Sequence, residues 1–312
     1  MKKIQHTRRV FLKKSAIGAG LCFALPFSAF SAETAEKVAL PNAASIPTLT
    51  LNNGVAMPLA GLGTYGLKGK DGQKAMEAAI ATGYRLIDTA QMYRNEDTVG
   101  AAIKASGVSL REFFITTKLS SDMNFEETLK SFDSSMARLG LEVLDLLLIH
   151  SDYPQSAQMY RAMEKLYDEK RIRALGISNF KAEKYTEFLK TCQVVPAVNQ
   201  CQTHLFQQQK PLREAMAPYK TVLESWSPFM AGGQRFFSNG VLNEVAEKHA
   251  KTPAQVALRF LVEQNIVVIP KTEKPERMKE NLAIFDFNLD DDDRARLSAL
   301  DTGKSAFGWD DD

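Results

Sequence analysis

Cysteine is scarce in this chain. Three thiols among 312 residues, Cys22, Cys192 and Cys201, exclude a disulfide-stapled scaffold. Cys201 falls in an expected buried strand and Cys192 at the end of an expected helix, so both are read as unpaired. Long apolar runs are also missing. The best candidate, Ala16 to Phe27, is interrupted by Gly18, Gly20 and Pro26 and is too short to span a bilayer, so no stable membrane span is expected. No residue class is extreme, and a 45% hydrophobic content excludes disordered and fibrous classes. The length suits one barrel or two smaller domains. No metal site is expected. Acid is absent from the first fourteen residues, which hold Lys2, Lys3, Arg8, Arg9, Lys13 and Lys14. The formal net charge of +2 therefore misleads. Without those six, 33 of the 39 Lys and Arg remain against 37 acids, near −4. A mildly acidic body argues against a nucleic-acid surface.

The basic start has an organisation of its own. Thr7-Arg8-Arg9-Val10-Phe11-Leu12-Lys13 is a twin-arginine pattern, and Ala29-Phe30-Ser31 offers a small-x-small cleavage site. Residues 1–31 are expected to be a twin-arginine signal peptide, 32–47 a linker, and 48–312 a single folded domain. A basic amphipathic terminus or an uncleaved anchor is the alternative. The resemblance of the signal implies export in the folded state by the twin-arginine machinery, with a periplasmic destination.

Beyond the linker, Thr48–Leu51 and Val55–Met57 flank Asn52-Asn53-Gly54, a hairpin signal. Eight short apolar runs follow: Gly61–Tyr65, Leu86–Ala90, Phe113–Leu119, Leu144–His150, Arg173–Asn179, Ala197–Gln202, Thr221–Ser227 and Ile266–Lys271. Segments of helical period lie between them, among them Gln73–Thr82, Phe125–Leu139 and Ser156–Lys170, and Thr252-Pro253 caps another at Ala254–Glu263. Such alternation gives parallel strands with right-handed crossovers. Eight units in about 240 residues fit a closed (β/α)8 TIM barrel of the α/β class better than an open sheet. An N-terminal β-hairpin and an extra C-terminal helix, Asp290–Leu300, stand outside that count.

Gly61-Leu62-Gly63-Thr64-Tyr65-Gly66 also matches the dinucleotide fingerprint, with Asp88 at the spacing where that motif places an acid. Context weakens the match. Pro58 precedes the run, and Gly69 and Gly72 separate it from its helix.

In a barrel of this kind, chemistry gathers where strands end at the C-terminal face. The second run supplies Asp88 there, with Tyr93 five residues on. The third ends in Lys118 and the fourth in His150. Alternation lets Asp88, Lys118 and His150 face inward together. Taken singly, a strand-end lysine usually snorkels to water and a lone histidine is usually a core residue. Together they suggest a proton donor. A phenol is a poor acid at neutral pH, and a nearby ammonium is expected to lower its pKa. Asp88 would hold that ammonium, and His150 would orient a carbonyl oxygen. Side chains cannot supply hydride, so a cofactor is implied.

From about Leu49 to Ser305 the chain resembles the aldo-keto reductases. The resemblance is carried by Ile87–Tyr93, Thr117-Lys118, Leu148–His150, Gly176–Phe180 and Ile269–Lys271, in the family's order. It implies an NADPH/NADP+-dependent reductase of a small-molecule carbonyl, with Tyr93 as acid, Asp88 and Lys118 as its tuners and His150 as orienter. It further implies that Ser178, Asn179 and Gln200 hold the nicotinamide carboxamide while Trp226 stacks on the ring, with Ser227 beside it. Lys271, Thr272 and Arg277 take the 2′-phosphate, and Glu280 and Asn281 the adenine. Tyr65 and Ser151 are expected to line the substrate pocket. Glu224–Pro228 and Glu276–Leu282 look most like the bacterial 2,5-diketogluconate reductase branch. Two departures stand out. Ser151-Asp152-Tyr153-Pro154 replaces the frequent Trp-Pro after the histidine, which implies a more open or polar pocket. Gln200–His204 departs from the usual ending, so His204 is read as structural. A monomer is expected. The alternative function is a nucleotide-binding redox sensor or regulatory subunit with slow turnover.

Overall fold

Residues 46–305 and 307 are described in a computed structural model of the chain. The expected signal peptide, Cys22 and the expected linker before residue 46 lie outside the described residues. Thr48–Thr50 (β1) and Ala56–Pro58 (β2) form the antiparallel hairpin, with Leu49 opposite Met57. The Gly54 amide donates to the Leu51 carbonyl, and the Leu51 amide to Val55. Gly54 is left-handed at φ 87 and Asn53 is not. The glycine therefore closes the loop as a bulge rather than as half of a two-residue turn.

Eight parallel strands follow: β3 (Gly61–Gly63), β4 (Leu86–Asp88), β5 (Phe114–Leu119), β6 (Leu144–Ile149), β7 (Ile172–Ser178), β8 (Val198–Gln202), β9 (Val222–Trp226) and β10 (Val267–Val268). Each pairs in parallel with the next in chain order. A parallel bridge between Ala60 and Val268 joins the two ends, so the sheet closes on itself. The amide of Val268 donates to Leu59 and that of Gly63 to Pro270. β10 is short because Pro270 has no N–H to continue a ladder. Its neighbour Ile269 instead reaches Ser225 with its amide at 3.3 Å.

The connecting helices are α1 (Gly69–Thr82), α2 (Glu96–Ser106), α3 (Phe125–Leu139), α4 (Ser156–Asp168), α5 (Ala182–Leu189) and α6 (Lys210–Met216). Three lie between β9 and β10: α7 (Gln234–Phe237), α8 (Gly240–Lys248) and α9 (Pro253–Val262). Two follow β10: α10 (Pro275–Leu282) and α11 (Asp291–Ser298). α3 shows how the sequence sets such an element. Asn124 and Glu127 form a reciprocal capping box, and Phe132, Met136 and Leu139 make a buried stripe. Gly140 ends the helix at φ 68. Capping boxes at Thr252/Gln255 and Asp290/Asp293 start α9 and α11 in the same way.

Two cores result. Alternate strand residues such as Ile87, Ile115, Leu147, Leu175, Cys201 and Leu223 face the helices. Their neighbours Leu86, Phe114, Leu146, Ala174, Val198 and Val267 fill the barrel interior, joined from the hairpin by Leu51 and Met57. Asn52 and Asn53 fasten that hairpin through amide bonds to the carbonyls of Pro196, Tyr219 and Arg173. The N-terminal end of the barrel is thus floored with apolar side chains. The glycines of the fingerprint-like run serve this packing. A Cβ at Gly61 would lie 2.4 Å from Leu86 Cγ, and one at Gly63 would lie 2.6 Å from the Ile269 carbonyl oxygen. They permit barrel closure and do not open a doubly wound sheet. Cys192 and Cys201 are both unpaired, as read from the sequence.

Candidate active site

Strand parity builds the site. On each strand the residue two or four places beyond a floor residue faces inward at the C-terminal end. Leu86 leads to Asp88, Phe114 to Thr116 and Lys118, and Leu148 to His150. Likewise Ala174 leads to Ser178, Val198 to Gln200, and Val222 to Glu224 and Trp226. The structure therefore brings the four residues singled out for chemistry to one rim. Tyr93 arrives on a 3₁₀ turn, Gln91–Tyr93, directly after β4, which Arg94 ends in a left-handed conformation.

Lys118 is wholly buried and its three donors are all directed. Nζ lies 2.6 Å from Asp88 Oδ1, 2.9 Å from the Thr89 carbonyl oxygen and 3.4 Å from the Tyr93 hydroxyl. The other Asp88 oxygen accepts from Gln200 Nε2 at 2.8 Å. Gln200 spends its second amide hydrogen on Glu224 Oε2, also at 2.8 Å. Burial pulls the lysine down, but Asp88 first and then Tyr93 hold it above its ordinary value, so it stays an ammonium. Burial draws the Asp88 carboxyl upward against the opposing pull of Lys118. Glu224, with no exposure, is pushed up to about 8 by burial and by the Asp88 charge, against weaker pulls from Gln200 and Lys118.

One electrostatic expectation is corrected. The ammonium does pull the Tyr93 phenol down, yet burial outweighs it, and Asp88 and Glu224 push the same way as burial. The net shift is upward. Charged neighbours can be read from a sequence, but desolvation cannot. The phenol consequently keeps its proton at neutral pH, next to a cation able to stabilise the phenolate once that proton leaves. Tyr65 packs edge-on against Tyr93 at 5.1 Å between centroids, and the His150 ring lies 5.8 Å away on the same terms.

His150 is pushed down to about 3 by burial and by Lys118, and so is neutral. Its Nδ1 sits 2.9 Å from Ser120 Oγ. Ser151 follows it half-buried, and Asp152 turns to the Lys184 ammonium at 3.4 Å. The carboxylate that this departure from the family pattern brings is thus engaged with a surface cation.

The residues assigned to a nucleotide form two groups. Ser178 donates to the Gln200 carbonyl. Asn179, left-handed at φ 64, donates to the carbonyl of His150 and to Ser178, and accepts the Trp226 indole N–H at 2.9 Å. Ser227, also left-handed, accepts the Ala231 amide. These surround the mouth beside Lys118. The second group lies at the end of β10. Lys271 and Arg277 are exposed, and Thr272 is buried with its hydroxyl accepting the Lys274 amide at the start of α10. Lys271 Nζ is 2.6 Å from Glu273 Oε1. Glu280 accepts from the Thr252 hydroxyl, and Asn281 is buried beside the Tyr84 hydroxyl. Two cations and a hydroxyl at a helix start make a donor set that fits a phosphate dianion. The polar wall of Ser178, Asn179 and Gln200 beside the Trp226 ring fits an amide-bearing aromatic ring. The site thus accommodates NADP(H).

Sequence reasoning passed over Glu224, Ser120 and Glu273. Glu224 was legible in principle, since an inward Trp226 forces Glu224 inward. His204 is wholly buried, and its Nδ1 accepts the Phe206 amide. Among the described residues no group of His, Cys, Asp and Glu side chains is arranged to hold a metal ion, and no helix is long and apolar enough to cross a membrane.

Comparison with known proteins adds an independent line. Residues 60–302 match the model of the Aldo/keto reductase family. A glyoxal reductase of Bacillus subtilis is 44% identical over 256 residues, covering 81% of this chain and 92% of its own. A morphine 6-dehydrogenase of Pseudomonas putida is 40% identical over 272 residues, covering 82% and 92%. Among solved structures, an aldo-keto reductase from a Medee basin deep-sea metagenome library superposes with a TM-score of 0.81 at 39% identity, covering 85% of this chain and 98% of its own. A Bombyx mori aldo-keto reductase in complex with NADP gives 0.78 at 28%, covering 83% and 94%.

Proposed function

The chain belongs to the aldo/keto reductase family, and from that premise we propose that it reduces small polar aldehydes or ketones, with glyoxals and diketo-acids as the substrate class and Tyr93 as the proton donor. It is an NADP(H)-dependent oxidoreductase acting on carbonyl groups. NADP(H), when bound, would supply the hydride for the carbonyl carbon. Everything else falls to the protein's own side chains.

The observation that carries the reading is the direction of the three Lys118 donors. Asp88 and the Thr89 carbonyl fix the ammonium in place, and its third donor is aimed at the Tyr93 oxygen. As negative charge gathers on a substrate oxygen, the Tyr93 proton moves to it, and the phenolate left behind faces a cation that is already positioned. That preorganisation is worth far more in a buried site than in water. His150, neutral and beside Tyr93, orients the same oxygen. Lys271, Thr272 and Arg277 would hold the 2′-phosphate, Ser178 and Asn179 the carboxamide, and Trp226 the ring of bound NADP(H). Both Gln200 amide hydrogens are spent on carboxylates, so Gln200 acts as an acceptor through Oε1. Ser151, half-buried beside the histidine, favours a hydrated, oxygen-rich substrate over a bulky apolar one. The glyoxal reductase relative supports this class, and the Glu224–Pro228 run supports the diketogluconate-reductase branch.

The twin-arginine pattern at Arg8-Arg9 supports export of the folded protein to the periplasm with its nucleotide already bound. Turnover is tested by following NADPH oxidation with methylglyoxal and with a 2,5-diketo acid. Tyr93→Phe is expected to lose on the order of a hundredfold or more in kcat while binding NADPH as the parent does. A parent rate no higher than that of Tyr93→Phe would sink the reductase reading and leave a slow nucleotide-binding sensor.

A further inference from the structure

The loop after β5 contains a residue that touches both halves of the catalytic apparatus. The Ser120 amide donates to Gln91 Oε1 at 3.2 Å, and Ser120 Oγ receives the Met92 amide at 3.2 Å. Gln91 and Met92 are the first two residues of the 3₁₀ turn that carries Tyr93. Gln91 is anchored in turn, its amide nitrogen donating to Ser131 and Ser135 on α3. The same Ser120 oxygen lies 2.9 Å from His150 Nδ1. We propose that Ser120 is a positioning residue that locks His150 in the Nε2–H tautomer and ties it to the turn bearing Tyr93.

A hydroxyl has one proton and two lone pairs. One lone pair faces the Met92 N–H. The proton has two acceptors within reach, His150 Nδ1 at 2.9 Å and the Lys118 carbonyl oxygen at 3.2 Å. The imidazole contact is the shorter of the two, and in the proposal the proton is assigned to it. When the proton points there, Nδ1 is an acceptor and the single proton of the neutral ring must reside on Nε2. Among the described residues nothing hydrogen-bonds Nε2, so that N–H is available to a substrate oxygen. The opposite arrangement would leave a bare lone pair at Nε2, which repels the oxygen it is meant to orient. One serine hydroxyl therefore decides whether His150 attracts or repels the carbonyl. The proposal rests on the reductase reading above, in which His150 orients that oxygen.

The test separates the two. With only four histidines in the chain, ¹⁵N-histidine labelling gives a resolvable set of imidazole signals, and the signal lost in His150→Gln assigns the one of interest. Holoenzyme without substrate is expected to show a protonated Nε2 and an unprotonated Nδ1. Ser120→Ala is expected to populate the Nδ1–H form and to lower kcat on the order of tenfold or more, with unchanged NADPH affinity by Trp fluorescence. Ser120→Thr, which keeps the hydroxyl, should restore both the tautomer and the rate. Ser120→Cys gives an intermediate case of the same size should the alanine variant fold poorly. A parent enzyme with Nδ1–H, or a tautomer indifferent to Ser120→Ala, overturns the proposal. The NMR readout needs no turnover, so it remains decisive even if methylglyoxal proves not to be reduced.

Discussion

The buried Glu224 carboxyl should make the stability of this barrel depend on pH in an unusual direction. Its side chain has no exposure, and its one described partner is Gln200 Nε2, which also holds Asp88. Burial and the Asp88 charge move it from an ordinary 4.5 to about 8. Between those values the folded protein keeps a proton that the unfolded chain has released. The stabilisation is complete below about pH 4.5, declines as pH rises, and is gone above about pH 8. A displacement of about 3.5 pH units corresponds to about 5 kcal/mol. Glu224→Gln keeps the shape and the acceptor for Gln200 and abolishes the titration. Relative to the parent, it should gain about 4 kcal/mol of stability on going from pH 5 to pH 9, the remainder of the effect lying below pH 5, and this is on the order of 10 °C in melting temperature. Thermal melts of both proteins at constant ionic strength measure that difference, and subtraction cancels the titrating groups that do not interact with Glu224. Parallel curves across the whole range would refute a neutral buried acid. Activity should follow, because an ionised Glu224 raises the Tyr93 pKa further and weakens it as a donor.

Two further perturbations address the neighbouring charges. Lys118→Met leaves Asp88 buried without its cation and is expected to cost about 3–5 kcal/mol in denaturant unfolding as well as turnover. Adding Asp88→Asn to it should recover much of the stability and none of the activity, whereas recovered turnover would contradict the assignment of Lys118. At the nucleotide end, Glu273→Gln releases Lys271 from its 2.6 Å ion pair. NADPH is then expected to bind more tightly, with a steeper salt dependence and little change for NADH, as read by quenching of Trp fluorescence; equal gains for both nucleotides would show that Lys271 does not meet the 2′-phosphate.

The barrel was legible because its signals are local. The cap at Thr252 depends on neighbours within four residues, and most strands announce themselves as short apolar runs. The four rim residues were legible for a related reason. Strand ends and side-chain parity are countable along the chain, so Asp88, Lys118 and His150 could be placed inward together. What stayed hidden depends on residues meeting across the barrel. Ser120 and His150 are 30 positions apart, and Gln200 meets Asp88 across 112. No spacing rule links them. The direction of the Tyr93 shift was missed because a sequence displays its charges but not the dryness around them. The glycine fingerprint, set aside on its context, is a false match for the converse reason, since the pattern is local and its cause is not. Gly63 is required by the backbone of Ile269, more than 200 residues away.

The division of the barrel interior explains why so much charge is tolerated at one end. Residues of the same parity run from an apolar floor, Leu86, Phe114, Leu146, Ala174, Val198 and Val267, to a polar rim. Burying an ammonium and two carboxyls costs several kcal/mol each before partners are counted. An apolar rim packed like the floor would avoid that cost. Here every Lys118 donor has an acceptor, and both Asp88 oxygens have donors. Glu224 Oε1 and Thr116 Oγ1 are left without partners among the described residues. An incompletely satisfied network is a poor way to stabilise a fold. Its presence in one layer, above a floor that makes no such compromise, is accounted for by a reaction that needs a buried, fixed cation beside a half-buried phenol.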